Sequence, residues 1–271
     1  MTTATVPSTS STAAPAARRR GVAASAVHYA SHTALLTIKN FSFVIFTVIM
    51  PVSLYLVFSS LYGNQPDDPT GIASKMIMVS MAAYGSLGAA MSGGAQLAVE
   101  RRSGWFRQLM ITTLPGRVFL WSRAAVIMML VLPALALVFA AGALLGGVQA
   151  SAGQWLGSLG LLWLGLIPMT ALGIVIGLWV KTEAVQGVNT LLLLGLSLLG
   201  GLWFPAELMP SGMQVVAHAL PTYWLAELGR YPFLPGETFP WAGVGVLLAW
   251  SVGLTVLGAL GYRRAAATSK R

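Results

Sequence analysis

From Arg123 to Lys181 the chain runs 57 residues without a charged side chain. A soluble fold would have to present part of that stretch to water, whereas lipid removes the need. One helix crosses the hydrocarbon core with about 20 apolar residues, so the interval is too long for a single crossing. The stretch Gly146 to Gln154, rich in glycine and amides, breaks the apolar period and divides it. Two spans are expected there, at about 124–145 and 155–180. The same criterion places four more at about 41–62, 76–99, 184–204 and 240–262. Composition agrees with this reading. Only 8% of the residues are charged and 56% are hydrophobic, where a soluble domain carries roughly 25% charge.

The expected fold is therefore an all-α membrane protein with six transmembrane helices. Residues 1–20 are rich in Thr, Ser, Ala and Pro and end in Arg18, Arg19 and Arg20, the mark of a disordered tail. The transmembrane domain is expected over 21–262, with a short tail over 263–271. The first apolar run is a full span rather than a short signal sequence, so it reads as an uncleaved anchor. Val22 to Asn40 mixes apolar and polar residues and is too polar to span. An N-terminal interfacial helix fits it, and a flexible lead-in is the alternative.

Charge placement orients the chain. With six spans, both termini share a side, and that side collects fourteen of the sixteen basic residues. Lys75 and Arg230 fall opposite, together with five of the seven acids. The positive-inside rule makes the termini cytoplasmic. Topology and attraction to anionic membrane lipid account for the net charge of +9, and no nucleic-acid partner is implied. Tyr62, Trp121, Trp155, Trp179, Trp203, Trp241 and Tyr262 sit near expected span ends, as interfacial anchors do.

Two connections are more than links. The loop between the second and third spans holds Glu100, Arg101, Arg102, Gly104, Trp105, Phe106, Arg107 and Leu109, and continues to Pro115. Arginines interleaved with aromatics suit docking into another protein's groove. The same residues suit an interfacial loop with inside-facing arginines. The connection before the last span, from Trp203 to Trp224, is too apolar for a water-exposed loop. A short helical hairpin dipping into the membrane fits it, with its irregular backbone shielded by protein.

The sequence lacks chemistry of its own. There is no Gly-x-x-x-x-Gly-Lys-[Ser/Thr] pattern, no His-Glu-x-x-His and no Gly-x-Ser-x-Gly. Without cysteine, and with only His28, His32 and His218, no catalytic, cofactor or metal site is expected. The spans carry almost no charge, which argues against an ion-driven carrier. The fifth span opens with Glu183, Gln186, Asn189 and Thr190 at helical spacing. This stripe reads either as part of a substrate path or as interhelical hydrogen bonding. Gly85, Ala89 and Gly93, beside Ser86, Ala90 and Gly94, and then Gly173 and Gly177, form small-residue faces that let helices approach closely.

Three stretches carry a family resemblance. The first runs from Lys39-Asn40-Phe41 through Met50-Pro51 to Leu61-Tyr62-Gly63. The second is Glu100-Arg101-Arg102-Ser103-Gly104 through Leu109, then Thr112-Thr113-Leu114-Pro115. The third is Gly200-Gly201-Leu202-Trp203-Phe204-Pro205 through Leu208-Met209-Pro210, with Leu220-Pro221-Thr222-Tyr223. On these the chain resembles the ABC-2 type permeases, including daunorubicin-resistance-like drug exporters. The second stretch carries an extra residue or two before its proline. The resemblance implies six spans, an interfacial helix, a membrane-dipping segment before the last span, and pairing of two permease copies. It implies a separate cytoplasmic ABC ATPase subunit docking near Glu100 to Pro115, and export of an amphipathic drug or natural product. An ion-gradient-driven carrier and a non-transporting membrane anchor or immunity protein are the alternatives.

Overall fold

A computed structural model describes residues 45–63, 71–102 and 116–269. The expected interfacial helix and tail of residues 1–40 lie outside them. All regular structure among the described residues is helical. A π-turn, Ile45–Ile49, leads into α1 (Met50–Tyr62), followed by α2 (Ile72–Arg102) and α3 (Gly116–Leu144). Then come α4 (Ala152–Gly165), α5 (Ile167–Trp179), α6 (Val185–Leu199), α7 (Ser211–Ala219), α8 (Pro221–Arg230) and α9 (Trp241–Ser269).

The long uncharged interval divides where glycine and amides interrupt it. Helix α3 stops at Leu144, and Gly147 takes φ +64°, a region that favours glycine. Ser151 then starts α4 with a capping box. Its hydroxyl accepts from the Gln154 amide, and the Gln154 side chain accepts from the Ser151 amide. Helices α4 and α5 are nearly continuous. Pro168 in the first turn of α5 has no N–H to give the preceding turn, and the chain breaks at Leu166.

Four helical stretches are long and apolar enough to cross a membrane: Ile72–Arg102, Leu120–Leu144, Ala152–Trp179 and Trp241–Arg264. Two of the six expected spans are shorter, Thr47–Tyr62 and Val185–Leu199. The first is described only from Ile45, and for the second the reason is local. Helix α6 is closed by a Schellman motif in which Gly201, at φ +71°, sits just past the end. The Leu202 amide donates to the Ser197 carbonyl and the Gly201 amide to that of Leu198. Thr222 Oγ1 donates to the Leu196 carbonyl at 2.8 Å, a second bond beside that from the Gly200 amide.

The connection before the last helix is a helical hairpin, α7 followed by α8, as its apolar sequence leads one to expect. Helix α8 is wedged against α2, α4 and α9. Its Gly229 carbonyl accepts a 2.6 Å hydrogen bond from Ser158 on α4. Trp155 and Trp203, both half-buried, make edge contacts with other rings of the protein. Trp155 meets Phe139 and Phe233, and Trp203 meets Tyr84. Trp121 and Trp241 are exposed, as anchors should be.

Helix α2 is the centre of the bundle. It packs on α1, α3, α5, α6 and α8. Of the four long spans it is the least apolar, yet 78% of its span window is buried, against 22% for α9. Lipid supplies no hydrophobic drive for helix association, so close packing of small residues decides which helix sits inside. A Cβ on Gly94 would overlap the backbone of Gly173, and one on Gly177 would overlap the Gly94 carbonyl oxygen. A Cβ on Gly173 would stand 2.8 Å from the Met91 carbonyl oxygen.

Backbone cannot yield as a side chain can, so Gly94→Ala is expected to destabilise the fold by about 1–3 kcal/mol. Gly253→Ala, on an open face of α9, should leave stability unchanged or raise it by up to about 1 kcal/mol. Thermal unfolding of the two purified variants in detergent compares them. Equal melting temperatures would refute the close-contact argument.

Candidate coupling site at the arginine-rich end

The last turn of α2 places Glu100, Arg101 and Arg102 at one end of the bundle, and each reaches a different element. The other residues expected at this site, Gly104, Trp105, Phe106, Arg107, Leu109 and Pro115, lie outside the described residues. The interval they belong to starts from α2 and returns into α3.

Arg101 donates through Nη1 to the carbonyls of Gly177, at 3.1 Å, and Leu178. These belong to the last turn of α5, whose carbonyls have no intrahelical partner. A cation there also meets the negative end of the α5 dipole. Thr182, just past α5, donates to the Ala98 carbonyl at 2.9 Å. Helices α2 and α5 are thus tied at their ends by polar bonds and lower down by the glycine contact.

Glu100 pairs with Arg123 of α3 at 2.9 Å, with side-chain exposures of 29% and 13%. Arg123 also donates through Nη2 to the Gly93 carbonyl at 3.1 Å. This pair joins the two helices that flank the 103–115 interval. Arg102 pairs with Glu183, ahead of α6, at 3.0 Å. Both partners are more than two-thirds exposed, and a pair so placed contributes about 0–1 kcal/mol.

The expected polar stripe on α6 does not stay together. Asn189 is buried and its Nδ2 lies 3.4 Å from Ser92 Oγ on α2, so it serves interhelical bonding. Gln186 and Thr190 are exposed on the other side of the helix. Among the described residues no group of His, Cys, Asp or Glu could hold a metal ion.

Two charges expected on the side opposite the termini, Arg230 and Glu227, pair at the other end of the bundle. Arg230, at the end of α8, donates to Glu227 at 2.8 Å and to Ser80 of α2 at 2.6 Å. The sequence signal was an Arg and a Glu three residues apart on an otherwise apolar segment, with a serine inside a span.

A family model described as ABC-2 type transporter matches residues 30–234. That interval includes the whole of the Glu100 to Pro115 stretch and the α7–α8 hairpin. The Bacillus subtilis (strain 168) protein named "Putative transport permease YvfS" is 28% identical over 214 residues, covering 79% of this chain and 86% of its own length.

The two ion pairs differ in burial and should differ in energetic weight. Arg123→Ala leaves Glu100 half-covered without this partner and removes a second bond to the Gly93 carbonyl, with an expected loss of about 2–4 kcal/mol. Arg102→Ala should cost less than about 1 kcal/mol. Chemical denaturation in mixed micelles measures both. A larger loss for Arg102→Ala would overturn this ranking.

Proposed function

Because the chain belongs to the ABC-2 type transporter family, we propose that it is the membrane permease subunit of an ATP-driven exporter. The chain is a multi-pass membrane protein of a family whose permeases work with an ABC ATPase. In this reading a separate cytoplasmic ATPase docks on the interval from Glu100 to Pro115, and two permease copies pair around the path. The cargo is an amphipathic drug or natural product.

The observation that carries the reading is the set of ties at the end of α2. Glu100, Arg101 and Arg102 connect the docking interval to α3, α5 and the start of α6. An ATPase that contacts the interval differently in its nucleotide states has a direct hold on the central helix. Differential contact of that kind is what shifts a two-state equilibrium. Gln186 and Thr190, exposed beside these ties, are the polar positions assigned to the cytoplasmic part of the path. Metal and cofactor play no part, and ATP hydrolysis belongs to the partner.

The reading also assigns six crossings with both termini cytoplasmic. The first crossing includes α1. The fifth is α6 completed by the Gly200 to Pro210 stretch and the membrane-dipping α7–α8 hairpin.

Two measurements test these assignments. Glu100→Ala combined with Arg102→Ala should abolish co-purification with the ATPase and stop transport, while the variant still elutes as a single species. Intact association and flux would end the docking proposal. Since the chain contains no cysteine, Gln149→Cys and Ser269→Cys report orientation against a blank background. An impermeant maleimide should label the first on whole cells and the second only after permeabilisation. The reverse pattern would invert the topology.

A further inference from the structure

A cavity of about 330 Å³ opens at the end of the bundle opposite the arginines. Its size falls within the range of small-molecule sites, roughly 300–1,000 Å³. Four segments wall it: α1 with Phe58 and Tyr62, α2 with Met76 and Met81, the stretch after α6 with Trp203, and α8 with Arg230. Aromatic and methionine side chains make an apolar lining that adapts to its guest.

The rim is apolar as well. Tyr62, Phe204 and Leu208, which help line the cavity, are exposed by 53%, 51% and 79%. Exposed apolar groups around an apolar hollow suit entry from lipid rather than from water.

The polar side chains of the wall are few: the hydroxyls of Tyr62 and Ser80, the Trp203 indole and the Arg230 guanidinium. Arg230 directs Nη1 to Glu227 and Nη2 to Ser80, and its buried Nε has no acceptor. Trp203 Nε1 is likewise buried without an acceptor. Two of the four buried side-chain polar atoms left unpaired among the described residues thus belong to this one wall, and such groups are costly to leave unmade. Glu227 neutralises the Arg230 charge, so a full anion is not required. What the two residues lack is an oxygen that accepts.

We propose that this cavity binds an amphiphile drawn from the surrounding lipid, with its apolar body among Phe58, Met76 and Met81 and an oxygen-bearing head accepting from Trp203 and Arg230. The guest turns these two side chains slightly toward itself and supplies the acceptor they lack. This site stands apart from the ATPase docking interval and does not depend on the export reading. That reading bears only on whether the guest is cargo or a resident lipid.

The test uses the purified full chain in phosphatidylcholine nanodiscs, without an ATPase, and two photoactivatable probes. One is diazirine-bearing palmitic acid, the other diazirine-bearing hexadecane, which has no head. Palmitic acid should label the peptides containing Met76 to Met81 and Trp203 to Leu208. Hexadecane should label them about tenfold less, the discrimination expected from one good hydrogen bond. Trp203→Phe keeps the ring and removes the donor, so it should bring palmitic acid down toward the hexadecane level. Ala73→Trp fills the cavity from its wall and should remove labelling by both probes. Labelling of the exposed face of α9 at Leu248 to Val256 should not change, and this reports that the variant is folded. Equal labelling by the two probes in the natural protein would overturn the proposal, as would cavity labelling that survives Ala73→Trp. A Trp203→Phe variant that keeps the tenfold preference would overturn the role of its donor. Adding the partner ATPase with ATP separates the two sources of guest. Labelling that falls with ATP marks the guest as cargo, and labelling that holds marks a resident lipid, with the site standing in both cases.

Discussion

The backbones of α2 and α5 touch at Gly94, Gly173 and Gly177, and the rest of the arrangement depends on that contact. Among helices in lipid, apolar surface is not a driving force, because the tails are as apolar as the side chains. What remains is close contact between atoms, and glycine allows the closest approach. With α5 drawn onto α2 in this way, the other helices take positions around the pair. Gly93 receives Ile127 of α3, and Gly85 receives Pro51 of α1.

The same constraint explains an inversion of the usual burial pattern. The span with the most serine, alanine and glycine is the one most enclosed by protein, while the strongly apolar α9 faces outward. The buried serines of α2 are not left without partners. Ser80 and Ser86 donate to carbonyls one turn back, at 2.9 and 2.6 Å, so they enter the interior already satisfied. Small polar residues thus provide thin surfaces for packing without the desolvation penalty of an unpaired group.

A helix of 31 residues is about 46 Å long at 1.5 Å per residue. One end of α2 holds the ties to α3, α5 and α6, and the other end forms a wall of the apolar cavity. In the proposed exporter the docking interval and the cavity are therefore joined by a single continuous helix. The ion pair of Arg230 and Glu227 ties α8 to this element near the cavity through Ser80. Charge is placed at the two ends of the central helix, and the middle is held by shape.

The membrane class, the division of the 57-residue interval and the small-residue faces were legible in the sequence, because each rests on local composition or spacing. The Gly146 to Gln154 break needed only glycine conformational freedom and a capping box, both written in neighbouring residues. The same holds for the apolar hairpin ahead of the last helix. Tertiary structure alone decided which helix lies at the centre, since periodicity does not say what a small-residue face meets. It also decided that Asn189 bonds inward while Gln186 and Thr190 face outward, that Trp203 lines a cavity, and that Arg230 reaches Ser80 from 150 residues away. These outcomes depend on contacts between segments distant in the chain, and one residue's neighbours in sequence do not determine its neighbours in space.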